Sequence, residues 1–152
     1  MTIRLFSQTD LDAVAGLCAA LWPDRPFAEH RRELEEILED EAPGPYPYRV
    51  FVADHAGAVV AFLLAGMRSH ADGCDPAKPV GYIEGWFVDA AWRKQGVGRE
   101  LVNAAESWAR SEGCAEMASD TWLDHVESQR AHAALGYREV DRCVNYRKSL
   151  QE

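Results

Sequence analysis

The segment Arg93–Arg99, with the sequence RKQGVGR, has the residue types of an anion-binding loop. It follows a β-rich run and precedes a segment with helical periodicity, and its glycines, Gly96 and Gly98, are separated by one residue. Glycine lets backbone N–H groups approach a phosphate closely, and the start of a helix supplies unpaired N–H groups and partial positive charge. We therefore predict that this segment binds a pyrophosphate.

Two better-known phosphate loops do not fit the segment. A dinucleotide-binding fingerprint needs a third glycine at position 101, which is Leu101, and would follow the first strand of the chain. A Walker loop needs Gly-Lys followed by Ser or Thr, whereas Gly98 precedes Arg99 and Glu100. A different class of phosphate-binding protein is indicated.

Two carboxylates, Glu84 and Asp120, are candidates for proton transfer. Glu84 lies within an otherwise apolar run, where a charge is unfavourable to bury without a partner. Asp120 follows a short strand. Carboxylates can bind an ammonium group and help to remove its proton. The alternatives are an outward position for Glu84, paired with a surface lysine, and a capping role for Asp120.

The composition limits the classes of partner. The 152 residues include 25 acidic and 16 basic side chains, for a net charge of −9. This balance argues against nucleic acid and suits a cationic small molecule, although many proteins are acidic only for solubility. No run is long enough to span a membrane, and the N-terminus has the pattern of a strand and not of a signal peptide, so we expect a cytoplasmic protein without a membrane partner.

The cysteines give no sign of a metal site or a disulfide framework. The four cysteines form no CxxC pair, and no histidine lies at metal-ligand spacing from them. We expect free thiols and no bound metal, as is usual in a reducing compartment.

The pattern of apolar residues and turn formers predicts the strands and helices that position these residues. Together these elements form one α/β domain over residues 1–152, built around a mixed central sheet. The expected order is strand, two helices, three strands, helix, strand, helix, strand. Thr9 would cap the first helix, Pro23 would end it, and Gly113 and Gly136 would end the last two. The expected strands are Thr2–Phe6, Tyr48–Asp54, Ala58–Met67, Val80–Val88, Glu116–Ser119 and Tyr137–Tyr146, and the expected helices are Asp10–Leu21, Ala28–Glu39, Gly96–Glu112 and Val126–Leu135.

Arg93, Gly96 and Gly98, set between a strand and a helix, resemble the Q/R-x-x-G-x-G/A loop of the GNAT superfamily of acyl-CoA N-acyltransferases. The segment 131–137, AHAALGY, resembles a second signature of that superfamily. The resemblance implies the GNAT fold, with splayed strands flanked by helices, and acetyl-CoA as cosubstrate. It also implies that the Val88 N–H polarises the thioester carbonyl. The cofactor-binding residues that it implies are Trp86, Phe87, Val88, Arg93, Lys94, Gln95, Gly96, Val97, Gly98, Arg99 and His125.

Over nearly its whole length the chain also looks like the aminoglycoside 6'-N-acetyltransferases. The matching segments are Leu21-Trp22-Pro23, Ile83-Glu84-Gly85, Ala118-Ser119-Asp120 and Tyr146-Arg147-Lys148. This resemblance implies that Glu84 and Asp120 face each other across a cleft and bind and deprotonate the 6'-amine in a ternary complex. It makes Trp22, Glu84, Asp120 and Asp141 substrate contacts. Arg25 and His70 stand where related enzymes tend to have a histidine and a tyrosine.

Several roles stay open at this point. An aminoglycoside is a polycation with many hydroxyls, which suits carboxylates and the flat faces of Trp22, Trp86 or Trp122, although a tryptophan is more often part of a core. His132 could protonate the leaving thiolate or could simply be packed.

The alternative functions are an acetyltransferase for another amine, such as a polyamine or a protein N-terminus, and a non-catalytic acyl-CoA-binding domain. The final strand, Glu139–Arg147, suggests pairing with a second subunit, because enzymes of the resembled group are commonly dimers. We therefore expect a homodimer.

Overall fold

A computed structural model describes residues 1–151 of the chain. The chain divides into two compact units, one from Met1 to Asp120 and one from Thr121 onward. Among the described residues, no helix combines the length and the apolar composition that crossing a membrane requires.

A five-stranded mixed sheet forms the centre of the first unit. Its strands follow one another across the sheet in chain order, with antiparallel pairing throughout except between the last two strands, which are parallel. The strands are β1 (Thr2–Leu5), β2 (Arg49–His55), β3 (Ala58–Arg68), β4 (Val80–Val88) and β5 (Met117–Ser119), and the helices of this unit are α1 (Leu11–Leu21), α2 (Phe27–Leu38) and α3 (Val97–Ser111).

The sheet is buried on both faces. Successive side chains of a strand point to opposite faces of the sheet, and apolar residues occupy both sets of positions in β2. Val50 and Val52 of β2 pack in one apolar cluster with residues of α1 and with Leu34 of α2. Phe51 and Ala53, which point to the other face, are buried as well. Helix α3 contacts β2, β3 and β4 and buries the side of the helix that carries Leu101.

Strands β2 and β3 are joined by a two-residue hairpin turn. His55 pairs with Ala58, so only Ala56 and Gly57 form the loop, and both have positive φ, at 51° and 88°. Two successive residues with positive φ define the turn that matches the twist of paired strands. The carboxylate of Asp54 accepts a hydrogen bond from the Gly57 N–H at 2.8 Å.

The entry into α1 differs from the prediction. A 3-10 turn over Gln8–Asp10 precedes the helix, and Ser7 and Asp10, not Thr9, satisfy the free backbone groups. The Asp10 carboxylate accepts the Ser7 N–H at 2.7 Å and the Ser7 hydroxyl at 3.0 Å. It is also held by the Arg4 guanidinium, a partner across the strand that local spacing could not identify.

The described part of the second unit, residues 121–151, contains one helix, α4 (Val126–Ala134), which ends just before Gly136 with its φ of 89°. The predicted final strand, Tyr137–Tyr146, was wrong, because residues 137–151 form no regular element. Local bonds occupy this segment: Arg142 pairs with Glu139, and its N–H donates to Asp141. Such bonds compete with strand formation, and a single strand has no ladder to stabilise it.

Candidate functional site

The predicted pyrophosphate loop joins β4 to α3. Gly96 is the N-cap of α3 with a φ of 86°, and Lys94 has a φ of 60°. These left-handed conformations turn the chain sharply into the helix, whose first N–H groups have no partner within the helix. No side chain caps this end of α3. The loop therefore presents backbone N–H groups and a helix dipole to an anion.

The two glycines of the loop are needed for different reasons. At Gly96 a Cβ would meet no other atom, so the requirement is the positive φ. At Gly98 a Cβ would lie 2.7 Å from the indole ring of Trp86, so the requirement is space. The sequence pattern predicted only close approach to a phosphate, and it did not reveal the contact with Trp86.

Side chains of the loop brace it against the end of β4. The Arg93 guanidinium donates from Nε to the Val88 carbonyl at 2.8 Å and lies 5.2 Å from the centre of the Phe87 ring. The Gln95 amide donates to the Ala91 carbonyl at 3.1 Å. Lys94 and Arg99 are exposed, and Val97 is buried at the start of α3. The loop thus combines a fixed backbone with a surface of positive charge, which fits a diphosphate.

Strands β4 and β5 are paired over only three residue pairs, ending at Ile83 and Ser119. The Ser119 hydroxyl donates to the Ile83 carbonyl at 3.4 Å, beside the last pair. Beyond this point β4 continues to Val88, whereas β5 ends. Residues 86–88 pair only with β3 among the strands described for residues 1–151. An extended acyl chain could bind along this stretch of β4.

Glu84 lies at the point where the two strands stop pairing. The register between β3 and β4 shifts there, since Leu64 pairs with Gly85 and Ala65 with Ile83, which leaves Glu84 as the extra residue. Its carboxylate accepts two hydrogen bonds from Arg68, from Nε at 3.2 Å and from Nη2 at 2.8 Å. The partner of Glu84 is thus an arginine at the end of β3 and not a surface lysine.

Asp120 directly follows β5, and its side chain is close to Tyr82. The Tyr82 residue is buried, and this burial, together with the nearby Asp120 carboxylate, raises the pKa of its phenol to about 12. The Arg68 guanidinium lies 3.5 Å from the centre of the same ring. The structure therefore brings four side chains into one cluster beside the point where β4 and β5 stop pairing: Glu84, Asp120, Tyr82 and Arg68.

Trp22 packs against β4 at Gly85, the residue that follows Glu84. A Cβ at Gly85 would lie 2.2 Å from its indole ring, so the ring rests on the backbone next to Glu84. It also stacks on His30, with ring centroids 5.9 Å apart, and His30 Nε2 lies 3.2 Å from the Trp22 carbonyl. Trp22 is therefore partly a core residue, held one residue away from a candidate catalytic carboxylate.

Arg25 and His70 occupy different surroundings. Arg25 forms ion pairs with Glu29 and Glu33, so its charge is balanced within the first unit. His70 is exposed in the loop after β3. It lines a cavity of about 160 Å³ together with Arg68, Ala71, Asp72 and Tyr82. Of these two predicted substrate contacts, only His70 shares a cavity with the cluster around Glu84.

The remaining predicted residues belong to the second unit. His125 is exposed directly before α4. The Nδ1 atom of His132 lies 2.7 Å from the Ser128 carbonyl, and its ring meets Tyr137 edge-on at 5.9 Å. Asp141 is exposed and accepts the Arg142 N–H. Their roles toward cofactor and substrate stay predictions.

Sequence reasoning missed Arg68, Tyr82 and His30. The sequence contained one indication for Arg68: it is a charged residue at the end of a strand, directly before a polar loop. Its pairing with Glu84 depends on strand register, which the sequence does not display. Among residues 1–151, no group of three or more His, Cys, Asp or Glu side chains is placed to hold a metal ion.

Comparison with known proteins agrees with this architecture. The Acetyltransferase (GNAT) family profile matches residues 14–137, which is most of the chain. The chain belongs to the GNAT family of acetyltransferases, which confirms the predicted fold class.

Relatives of known activity match nearly end to end. The chain is 38% identical over 149 residues to an aminoglycoside N(6')-acetyltransferase type 1 of Salmonella typhimurium, covering 97% of this chain and 99% of the relative. The enzyme of the same name from Serratia marcescens is 39% identical over 149 residues, with the same coverage.

Solved structures are similar as well. The enzyme AAC(6')-Iy in complex with the bisubstrate analogue CoA-S-monomethyl-acetylneamine gives a TM-score of 0.86 at 37% identity, over 97% of both chains. The aminoglycoside 6'-N-acetyltransferase AAC(6')-IG from Acinetobacter haemolyticus gives 0.86 at 31% identity, over 99% of this chain and all of the other.

Proposed function

We propose that this chain transfers the acetyl group of acetyl-CoA to the 6'-amine of aminoglycoside antibiotics, by direct attack in a ternary complex, and so confers resistance. The observation that carries the proposal is the position of Glu84 and Asp120 beside the opening between β4 and β5. Relatives that match the chain almost end to end carry the same activity in their names.

Acetyl-CoA would bind along β4 and the glycine loop. Lys94 to Arg99 and the start of α3 would hold the pyrophosphate, and the backbone of Trp86, Phe87 and Val88 would hold the pantetheine arm. His125 would donate one hydrogen bond to that arm. The cosubstrate supplies an activated thioester, whose carbonyl the Val88 N–H would polarise.

The acceptor amine arrives mostly protonated at neutral pH, so it must be bound as a cation and then deprotonated. Glu84 and Asp120 would bind the ammonium group. Asp120 is the better placed acceptor for its proton, because it is exposed to water at the end of β5, whereas Glu84 would hold the cation. His132 would protonate the departing thiolate.

Contacts to the rest of the aminoglycoside would come from Trp22, Arg25, His70 and Asp141. His70 lines the cavity next to the carboxylate cluster. Trp22 offers the part of its indole that its packing leaves accessible. The balanced charge of Arg25 would let it face a polycation with little repulsion.

An assay of thiol release with acetyl-CoA tests the function directly. Kanamycin, an aminoglycoside that lacks the 6'-amine, spermidine and a peptide amine are offered as acceptors to the purified chain. Release with kanamycin but not with the drug that lacks the 6'-amine is expected. Release with spermidine alone would identify a polyamine acetyltransferase, and binding of acetyl-CoA without release would identify a non-catalytic domain.

We infer in addition that the chain acts as one functional domain and assembles as a homodimer through residues 137–151. Four apolar side chains of this segment are more than half exposed and would supply apolar contacts to an interface: Val140, Val144, Tyr146 and Leu150. Light scattering should give twice the chain mass of 17.0 kDa. A single-chain mass at assay concentration, with activity retained, would contradict the dimer.

We also propose a cytoplasmic location. All four cysteines are free, and Cys18 and Cys114 are buried, as suits a reducing compartment. Cell fractionation of the native producer should place the chain with cytoplasmic markers, and its recovery among periplasmic or membrane proteins would contradict the proposal.

A further inference from the structure

Arg68 holds the position that an ammonium group would be expected to take. Its guanidinium carbon lies over the ring of Tyr82, 3.5 Å from the ring centre, and its nitrogens donate hydrogen bonds to both oxygens of Glu84. Asp120 also acts on it as a nearby negative charge. An aromatic face with two carboxylates is a receptor for a cation, and here the protein supplies the cation itself.

We propose that Arg68 is an internal occupant of the substrate-ammonium site, which an incoming polycation must displace, and that this exchange selects acceptors with several positive charges. The inference rests on the proposed function. Arg68 is thereby a specificity-determining residue and not a fixed member of the catalytic set.

The geometry allows Arg68 to leave. Its side chain is 44% exposed, whereas that of Glu84 is 21% exposed, so the arginine is the mobile partner of the pair. Solvent reaches the pair and screens the attraction, and the long arginine side chain regains conformational freedom when it leaves. Arg68 ends β3 and can rotate into solvent without breaking the sheet.

The adjoining cavity supports the displacement. It measures about 160 Å³, and Arg68 forms part of its wall with Tyr82. Sites for small organic ligands usually measure roughly 300–1,000 Å³. Rotation of Arg68 away from Tyr82 would extend this cavity toward Glu84 and leave the carboxylate free to receive an amine.

The exchange explains why charge number would matter. A monoamine only replaces the Arg68 guanidinium by another cation at Glu84, so the exchange contributes little binding free energy. A polycation makes the same exchange and places further ammonium groups near other acidic groups, such as Asp72 of the cavity wall. The apparent affinity of any acceptor is reduced by the fraction of molecules in which Arg68 blocks the site.

The test is the variant Arg68→Gln, studied by titration calorimetry with kanamycin and with spermidine in the presence of CoA, and by steady-state kinetics. The expected result is tighter binding of at least one polycation, by about threefold to tenfold, with KM lowered in parallel and kcat changed less than twofold. Arg110→Gln is the matched control, because Arg110 pairs with Glu106 on the surface of α3. Arg110→Gln should leave both the affinity for the polycation and KM unchanged.

A double variant separates displacement from general electrostatics. In a Glu84→Gln background, Arg68→Gln should no longer tighten binding, since the pair that blocks the site is already broken. Arg68→Lys, which keeps the charge without the planar two-point contact, should bind more tightly than wild type and less tightly than Arg68→Gln. It carries the test if Arg68→Gln fails to fold.

Two results would overturn the inference. One is weaker or unchanged binding of both probes in Arg68→Gln and Arg68→Lys. The other is a fall of more than tenfold in kcat at unchanged affinity, which would make Arg68 a positioning residue for Glu84. Absence of any aminoglycoside acetylation by the wild-type chain would instead refute the proposed function, and the calorimetric comparison would still decide the role of Arg68.

Discussion

At the scale of single residues, Glu84 and Asp120 carry the same charge in unlike surroundings. Glu84 is the extra residue at the register shift between β3 and β4, and its side chain pairs with Arg68. Asp120 is exposed directly after β5. Glu84 is suited to bind a cation, because its carboxylate already holds the guanidinium of Arg68. Asp120 is suited to accept and release a proton, because water can reach it.

The variant Asp120→Asn should therefore lower kcat/KM for kanamycin by at least about tenfold, on the scale of general-base effects. Its melting temperature should stay within a few degrees of wild type, since the exposed side chain contributes little to packing. Asp124→Asn, in the exposed loop that follows, is the matched control and should remain active. Near-wild-type turnover by Asp120→Asn would remove Asp120 from the mechanism.

Gly98 and Gly96 provide a second prediction at this scale. Gly98→Ala should lower the free energy of unfolding by roughly 1–3 kcal/mol through overlap with the Trp86 ring. Combining it with Trp86→Leu should recover part of this loss. Gly96→Ala should also destabilise, through its φ of 86°, but Trp86→Leu should give it no relief. Urea unfolding measures all four variants, and equal behaviour of the two alanine variants would contradict the separate roles.

At the scale of elements, β1, α1 and β2 are joined by a small charged network. Arg4 bonds to Asp10 at 2.7 Å and to Asp54 at 2.9 Å. Hydrogen bonds from Arg4 lower the pKa of Asp10 to about 2, although burial acts in the opposite direction. The network fixes the angle at which the chain leaves the first strand and enters the first helix.

This network should make stability depend on pH in the acid range. Because the folded-state pKa of Asp10 is lower than its unfolded value of 3.8, its contribution is complete above about pH 4 and is lost as the pH falls toward 2. The contribution amounts to about 2 kcal/mol. Asp10→Asn should therefore lose about that much at pH 7 and clearly less at pH 3, as measured by urea unfolding. Asp24→Asn, at an exposed position, is the control, and a loss that does not diminish at pH 3 would contradict the linkage.

How far the sequence predicted these elements depended on where their partners lie. Val80–Val88 was predicted to the residue and α3 within one residue at each end, because local periodicity and the glycine loop define them. Glu84 could be named as a candidate because a charge in an apolar strand is visible in the sequence, and its role and that of Asp120 stay predictions. The Arg68–Glu84 pair, the Gly98–Trp86 contact and the missing final strand depend on register and on distant partners, which a local pattern does not contain.

At the scale of the whole molecule, the net charge of −9 should act on binding from a distance. An acidic protein attracts a polycationic drug and repels the anionic acetyl-CoA before either reaches its site. Salt screens both effects, because the Debye length falls from about 30 Å at 0.01 M to about 8 Å at 0.15 M ionic strength. The two substrates should therefore respond to salt in different ways.

Raising NaCl from about 0.02 to about 0.2 M should increase KM for kanamycin several-fold and leave KM for acetyl-CoA equal or lower, since its phosphates bind a locally positive loop within an acidic molecule. Steady-state kinetics at fixed pH measures both. A paired replacement at the C-terminal end of α2, Glu36→Gln with Glu39→Gln, changes the net charge by two while keeping both candidate carboxylates, and should reduce the salt response without changing kcat. If KM for kanamycin does not change with salt, contacts within the site alone account for its recognition, and the overall charge serves solubility.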